Sequence, residues 1–452
     1  MRDLKNIKIL IPSKVQFIIH ELERNGFEGY VVGGCLRDSI LNREINDWDI
    51  TTNAKPQNII EIFNHTIPTG IKHGTITVLI DEEAFEVTTY RIDGEYIDNR
   101  HPSEVTFTCD IREDLSRRDF TINAMAYSEK NGLMDLFNGL EDLKKQVVRA
   151  VGDPLKRFNE DALRMMRAIR FASQLDFKID DNTSKAILVL DENINSVSIE
   201  RIRDEFNKII LSNVWYIEEL INLGLLKEFL PELIECQGVD QQNIHHIFDV
   251  LTHILTSVNN IEKDLILRLT MVFHDICKPD CKTVDEKGVG HFYGHEEASF
   301  IKSFGILKRM KYDNDTINKV TTLIKYHDRD INSSKSIRKL LSIMGEELFR
   351  NLLKVKAADL SGQNPIYHKE GYDKLAIIEE KFNKILARKE CFTIKDLEID
   401  GKDLIEIGFN QGSDIGKTLN LLLEKVLEDP SINKKNLLII IAKSLINHRI
   451  VL

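Results

Sequence analysis

Two aspartates one residue apart, Asp47 and Asp49, constrain this chain more than any other feature. They close the stretch Tyr30–Ile50, YVVGGCLRDSILNREINDWDI. Tyr30-Val31-Val32 reads as a buried strand entering a turn, and Gly33-Gly34 removes side chains where the backbone must pass close to something. Asp47-Trp48-Asp49 runs into Ile50, Thr51 and Thr52, so it also reads as strand, where residues i and i+2 point to the same side. Two such carboxylates with no cation between them repel and shift a pKa upward. Mg²⁺ removes that conflict, and carboxylate oxygens suit this hard cation. A solvated pair in a turn is the plainer reading of so short a motif. The Gly-Gly turn and the flanking apolar strand residues favour the functional one.

Gly152-Asp153-Pro154 marks a break. Before it, the pattern mixes helix and strand. An amphipathic helix is expected over Ser13–Asn25 with Val15, Ile18, Ile19 and Leu22 on one face, ended by Gly26. Further helices are expected around Leu36–Leu41 and from Lys55-Pro56 to about Phe63, and a hairpin from Thr75–Ile80 and Ala84–Arg91. Glu86 sits on that hairpin at strand spacing, a candidate third carboxylate. Arg91–Ser103 is a polar loop by composition. Arg117 and Arg118 precede an apolar stretch read as helix, and guanidinium groups are natural partners of phosphate oxygens. After the break the chain is strand-poor. Phe158–Leu175 reads as one helix with Asp161 a turn before Arg164, and with Arg164, Arg167 and Arg170 recurring every three residues on a second face. Ser198–Leu211, Tyr216–Phe229 and the basic Lys374–Arg388 continue the helical pattern.

With 452 residues and 42% apolar content, the chain can build about two to four domains. The net charge of −11 argues against a globally basic nucleic-acid coat but leaves room for a local basic groove. The six cysteines are scattered, and Cys277 and Cys281, without a second pair, make a weak zinc site. No stretch has the apolar length of a membrane span, and the first residues lack a leader pattern, so a soluble cytoplasmic protein with no membrane partner is expected. Oligomeric state is left open.

GGCLRD at Gly33–Asp38, DWD at Asp47–Asp49, RRDFTINAMA at Arg117–Ala126 and EDALRMMRAIRF at Glu160–Phe171, in that order and spacing, resemble the bacterial class II tRNA nucleotidyltransferases, the CCA-adding enzymes. LEIDGKDLIEIGFNQGSDIGKTL at Leu397–Leu419 resembles the family's tRNA-contacting tail. The resemblance implies an α/β nucleotidyltransferase head, a mixed sheet with flanking helices, over 1–150. An all-α neck with a nucleotide-selecting helix (151–214), a body (215–388) and a tRNA-binding tail (389–452) would follow. It implies tRNA, CTP and ATP as partners and Mg²⁺ as cofactor. It assigns Asp47 and Asp49 to the metal, and Gly34, Arg37, Arg118, Arg167 and Arg170 to the nucleotide; Gly33 is a nucleotide-binding candidate beside Gly34, and Glu86 stays a further catalytic candidate from its place on the neighbouring strand. Asp161 and Arg164 match an amino-acid template. Cytosine and adenine both present an amine donor beside a ring-nitrogen acceptor, which a carboxylate and a guanidinium can take while rejecting guanine and uracil. The complete-looking loop at Arg91–Phe107 argues against CC-only addition and leaves A-only addition open. Gly70–Val78, GIKHGTITV, lacks the basic element of poly(A) polymerases.

A second pattern covers Leu251–Asp359. His253, the pair His274-Asp275, and Asp359, with His295 and His327 between, resemble an HD metal-dependent phosphohydrolase, whose ligand set H…HD…D suits a divalent transition metal or Mg²⁺. Two rival readings are therefore an HD phosphohydrolase whose head only binds nucleotide, and a non-catalytic tRNA-binding protein.

Overall fold

The structure, a computed structural model, describes residues 8–45, 47–94 and 104–449. The chain divides into two compact units, Met1–Pro231 and Glu232–Leu452.

The first unit is built on strands β1 (Gly29–Val32), β2 (Asp49–Thr52), β3 (Thr66–Gly70), β4 (Thr75–Ile80) and β5 (Glu83–Thr89), a separate ribbon of β6 (Arg91–Asp93) and β7 (Val105–Phe107), then β8 (Met125–Ser128) and β9 (Gly132–Asp135). The main sheet has seven strands in the order β3-β4-β5-β2-β1-β8-β9. Its pairings are antiparallel except β2 against β5, which is parallel. β1 lies inside the sheet, between β2 and β8, and is buried throughout, which is why it reads as an unbroken apolar run. Helix α1 (Ser13–Arg24) buries Val15, Ile18, Ile19 and Leu22, the expected face. α2 (Gly34–Ile40), α3 (Pro56–Ile62) and the β4–β5 hairpin fall where the periodicity puts them. Of the expected polar loop, residues 95–103 lie outside the described residues.

Four expectations change. Asp47 precedes the strand: β2 begins at Asp49. The apolar stretch after Arg117-Arg118 is a 3₁₀ turn (Thr121–Asn123) and then β8, so the arginines follow the C-terminal end of α4 (Ile111–Ser116). A short buried strand between two others has no solvent face to give it a period. Phe158–Leu175 is two helices. After α5 (Gly139–Lys145), α6 covers Pro154–Glu160 and α7 covers Leu163–Leu175. Asp161 between them is extended (φ −143°, ψ 105°), and its Oδ1 accepts the Leu163 N–H at 3.1 Å, a capping bond that competes with helix continuation. Tyr216–Phe229 likewise splits at Gly224, whose φ of 77° is left-handed and where a Cβ would meet Asp191 Oδ2 at 2.3 Å.

α9 (Ile199–Ile210) packs against α7, and α8 (Asp181–Leu190) packs against α6. Phe120, fully buried, meets Phe171 of α7 edge-on with centroids 5.7 Å apart. This contact fixes α7 against the segment that carries Arg117 to Asp119.

The second unit is helical, with long helices at Ser334–Ser361 and His368–Ala387; the latter contains most of the expected basic helix. Its last core gathers Leu404, Leu422, Val426 and Leu438 from three helices. Among the described residues, no helix is long and apolar enough to cross a membrane. The six cysteines are free, and neither Cys277 nor Cys281 belongs to a metal-ligating cluster among the described residues.

A Phe120→Ala variant is expected to lose about 3–5 kcal/mol, the usual cost of emptying a buried aromatic site. Denaturant unfolding of the full chain measures it, and a loss under about 1 kcal/mol would contradict the bracing role of this contact.

Candidate active site

The parallel pairing of β2 and β5 sets Asp49 directly opposite Glu86. Both line a cleft of about 400 Å³ together with Arg118, Asp161, Arg164 and Arg167. The surrounding walls desolvate Asp49 and raise its pKa; Arg118 pulls it back, while Glu86 and Asp47 push it further up. Three like charges thus act on one another here, which is the electrostatic signature of a site suited to a cation. Gly33 lies beside them with φ 76°. A Cβ there would stand 3.2 Å from Arg118 Nη1 and 3.5 Å from Asp49 Oδ2, so glycine keeps the space between these two groups open. At Gly34 the nearest atom to an added Cβ is Arg37 Nη2 at 3.6 Å.

The arginines divide into two groups. Arg118, Arg164 and Arg167 reach the cleft. Arg37 and Arg170 do not line it. Arg37 is buried, with Asp38 at 2.7 Å and Asn123 Oδ1 at 2.8 Å. Arg170 is buried against Glu205 (2.5 Å) and lies over the Phe171 ring at 3.9 Å. Successive three-residue steps on a 3.6-residue helix drift around the axis, so the three arginines of α7 do not share one face.

Residues unassigned in the sequence hold the cleft arginines. Asp114, completely buried, accepts from Arg117 at 2.7 Å and from Arg118 at 3.3 Å. Burial opposes its charge, but both guanidinium groups outweigh that and hold its pKa below the ordinary value. Asp119 accepts two bonds from Arg167, at 2.8 and 2.6 Å. Burial is again overcome, chiefly by Arg167, and the Asp119 pKa falls to about 2. Arg164 is held by Glu160 at 2.6 Å and by the carbonyls of Arg157 and Arg117. Asp161 pairs with Arg201 of α9 at 2.9 Å. Asp119 stood in plain view within the Arg-Arg-Asp run; Arg201 gave no local signal.

The second unit gathers a separate cluster. Ligand atoms of His253, His274, Asp275 and Asp359 all lie within 4.8 Å of one another, as do those of Asp275, His295 and His327. His295 and His327 fall between the motif residues in sequence, and the fold brings them to Asp275. The Nδ1 atoms of His253, His274, His295 and His327 lie 2.7–2.9 Å from the carbonyls of Gly362, Met271, Phe292 and Ile324. A carbonyl only accepts, so each Nδ1 carries the hydrogen and each Nε2 turns toward Asp275. Neither Asp275 oxygen receives a hydrogen bond of normal geometry, although Lys278 Nζ lies 2.7 Å away. Burial lowers the His274 pKa, but Asp275 and Asp359 override it and hold it up at about 10. Among the described residues the clusters this tight are all in this unit, so Asp47, Asp49 and Glu86 are grouped more loosely.

Comparison with known proteins decides the family. The chain is 34% identical over 414 residues to the CCA-adding enzyme of Lactobacillus helveticus, covering 92% of each, and 36% identical over 415 residues to that of Pediococcus pentosaceus, covering 91% and 92%. It belongs to the CCA-adding enzymes. As a member, it is a tRNA nucleotidyltransferase. The poly(A) polymerase head-domain family matches residues 29–149, the "Probable RNA and SrmB-binding site of polymerase A" residues 176–236, and tRNA nucleotidyltransferase domain 2 residues 299–442. The fold resembles the Bacillus stearothermophilus CCA-adding enzyme in complex with CTP, with a TM-score of 0.73 and 28% identity over 97% of this chain and 99% of that one. A Thermotoga maritima CCA-adding enzyme complexed with tRNA shares the fold at 19% identity, with a TM-score of 0.59.

Because the folded-state pKa of Asp114 is depressed, its stabilisation is fully present above the unfolded value and is lost as pH falls. Asp114→Asn is therefore expected to cost about 1.5–3 kcal/mol near neutrality. The difference from the unsubstituted protein should shrink below about pH 4, as read by thermal unfolding against pH. A pH-independent difference would contradict an ionic role.

Proposed function

We propose that this protein adds CCA to the 3′ end of tRNA from CTP and ATP with Mg²⁺, releasing pyrophosphate, and that Asp161 and Arg164 select the base. The observation that carries this reading is the cleft itself. One wall offers Asp49 and Glu86 on paired strands, and another offers Asp161, Arg164 and Arg167.

Asp47 and Asp49 would hold Mg²⁺, with Glu86 beside them. The loose grouping of the three carboxylates and the raised pKa of Asp49 fit a cation of oxygen preference. A bound metal lowers the pKa of the attacking 3′-hydroxyl and stabilises the leaving pyrophosphate. Arg118 and Arg167 face the same space and suit the triphosphate. Arg37 and Arg170 would act from behind, bracing Asn123 and α9. Asp161 accepts from the exocyclic amine of cytosine or adenine and Arg164 donates to the ring nitrogen. Guanine and uracil leave these groups unpaired.

The test is incubation of purified protein with tRNA lacking its terminus, Mg²⁺, and CTP or ATP separately and together. CTP and ATP are expected to enter in order. No incorporation would overturn the reading, and A without C would make this an A-adding enzyme. Asp47→Asn and Asp49→Asn should each lower the rate by at least ~10³-fold, since several kcal/mol of charge stabilisation are lost. Proton and metal compete for Asp49, whose pKa is raised, so more Mg²⁺ should move the acid limb of the pH–rate profile to lower pH. An immobile limb would count against Asp49 as a ligand.

A second activity is favoured by the four anchored imidazoles around Asp275. A divalent metal held by His253, His274, Asp275 and Asp359 would support phosphoester hydrolysis. His274→Ala should abolish hydrolysis of a phosphodiester such as bis(p-nitrophenyl) phosphate in the presence of Mn²⁺ or Ni²⁺ while sparing CCA addition. Loss of both together would make the cluster structural.

A further inference from the structure

We infer that Arg201 is a positioning residue for base choice, fixing the direction in which Asp161 offers its oxygens to the incoming base. The inference rests on Asp161 reading the base and adds what aims it.

Asp161 lies in the extended link between α6 and α7, so no helical backbone sets its side chain. Two neighbours direct the carboxylate. The Leu163 N–H donates to Oδ1 at 3.1 Å, and Arg201 donates Nη1 to Oδ1 at 3.5 Å and Nη2 to Oδ2 at 2.9 Å. Arg164, the cation nearest in sequence, is engaged elsewhere, with Glu160 and two backbone carbonyls. The carboxylate and the guanidinium that face the base are thus held by separate partners and not by each other. Asp161 and Arg201 both line the cleft and both keep some exposure, so a ligand can reach the carboxylate while the pair stays formed.

The placement of Arg201 is itself determined. One turn further along α9, Glu205 is buried and paired with Arg170 of α7. The two pairs joining α9 to this segment have opposite polarity: Arg201 to Asp161, and Glu205 to Arg170. A one-turn slip of α9 would bring Arg201 toward Arg170 and set like charges together, so the register that aims Asp161 is enforced electrostatically.

The consequence for selectivity follows from lone-pair count. A carboxylate has about four acceptor sites. With Arg201 and the Leu163 N–H occupying one side, the remaining sites point in a fixed direction, and an exocyclic amine placed there is accepted. Released from Arg201, the carboxylate can rotate and meet the ring N–H of uracil or guanine as well.

The experiment uses the full-length protein, tRNA lacking CCA and tRNA ending in CC, and each of the four nucleoside triphosphates singly. Arg201→Met is expected to reduce the preference for CTP and ATP over UTP and GTP by about tenfold or more, with KM for CTP rising more than kcat falls. Arg201→Lys, which keeps the charge, should recover most of the preference. A uniform loss with all four nucleotides at unchanged ratios would overturn the inference and make Arg201 structural, as would no change at all. Should Arg201→Met not fold, Arg201→Gln, which keeps polarity without the charge or the two-nitrogen fork, decides: a preference between those of the unsubstituted protein and Asp161→Ala supports the inference, and an unaltered preference overturns it. Asp161→Ala separates the two layers. If it leaves base preference intact, the reading of Asp161 fails; if it relaxes preference and the folded Arg201 variants do not, only the role of Arg201 fails.

Discussion

Asp49 faces Glu86 across the parallel strand pair of an otherwise antiparallel sheet, and the surroundings of the first unit follow from that opposition. Like charges directly across a sheet are destabilising. The structure tolerates them because they open to a cleft, because Arg118 lies near enough to offset part of the rise in the Asp49 pKa, and because Gly33 keeps the gap between Arg118 and Asp49 clear. Arg118 is in turn held by buried Asp114. The same arrangement recurs around the cleft: Asp119 holds Arg167, Glu160 holds Arg164 and Arg201 holds Asp161. Arg118, Arg164, Arg167 and Asp161 each have a partner behind them, so the directions of these four groups are set before a ligand arrives.

Much of this was legible in the sequence where a periodic signal was present. Val15, Ile18, Ile19 and Leu22 announced a half-buried helix, and alternating Val, Ile and Thr announced the β4–β5 hairpin with Glu86 on it. The ordered motifs carried the family. What was not legible depended on interactions without local pattern. The chain between Phe158 and Leu175 has an uninterrupted helical period, yet the Asp161 side chain takes the Leu163 N–H and divides it. Arg201 sits forty residues from Asp161, and spacing along one helix says nothing about which neighbour its guanidinium will meet. Buried β8 lost its strand signature because it is covered on both faces.

The second unit solves a related charge problem differently. There the positioning groups are backbone carbonyls, which hold four Nδ1 atoms and turn four Nε2 atoms toward one buried carboxylate. The histidine-aspartate pattern announced half of this arrangement. His295 and His327 join it through tertiary packing.

The arrangement as a whole turns on metal chemistry and base choice sharing one cleft. The most direct measurement is a crystal structure of the full-length protein with CTP and Mn²⁺, located by its anomalous signal. Mn²⁺ is expected on the carboxylates of Asp47 and Asp49, with the cytosine amine against Asp161 and its ring nitrogen against Arg164. An ordered nucleotide whose base lies away from Asp161 and Arg164, or a metal bound without Asp47 and Asp49, would contradict it.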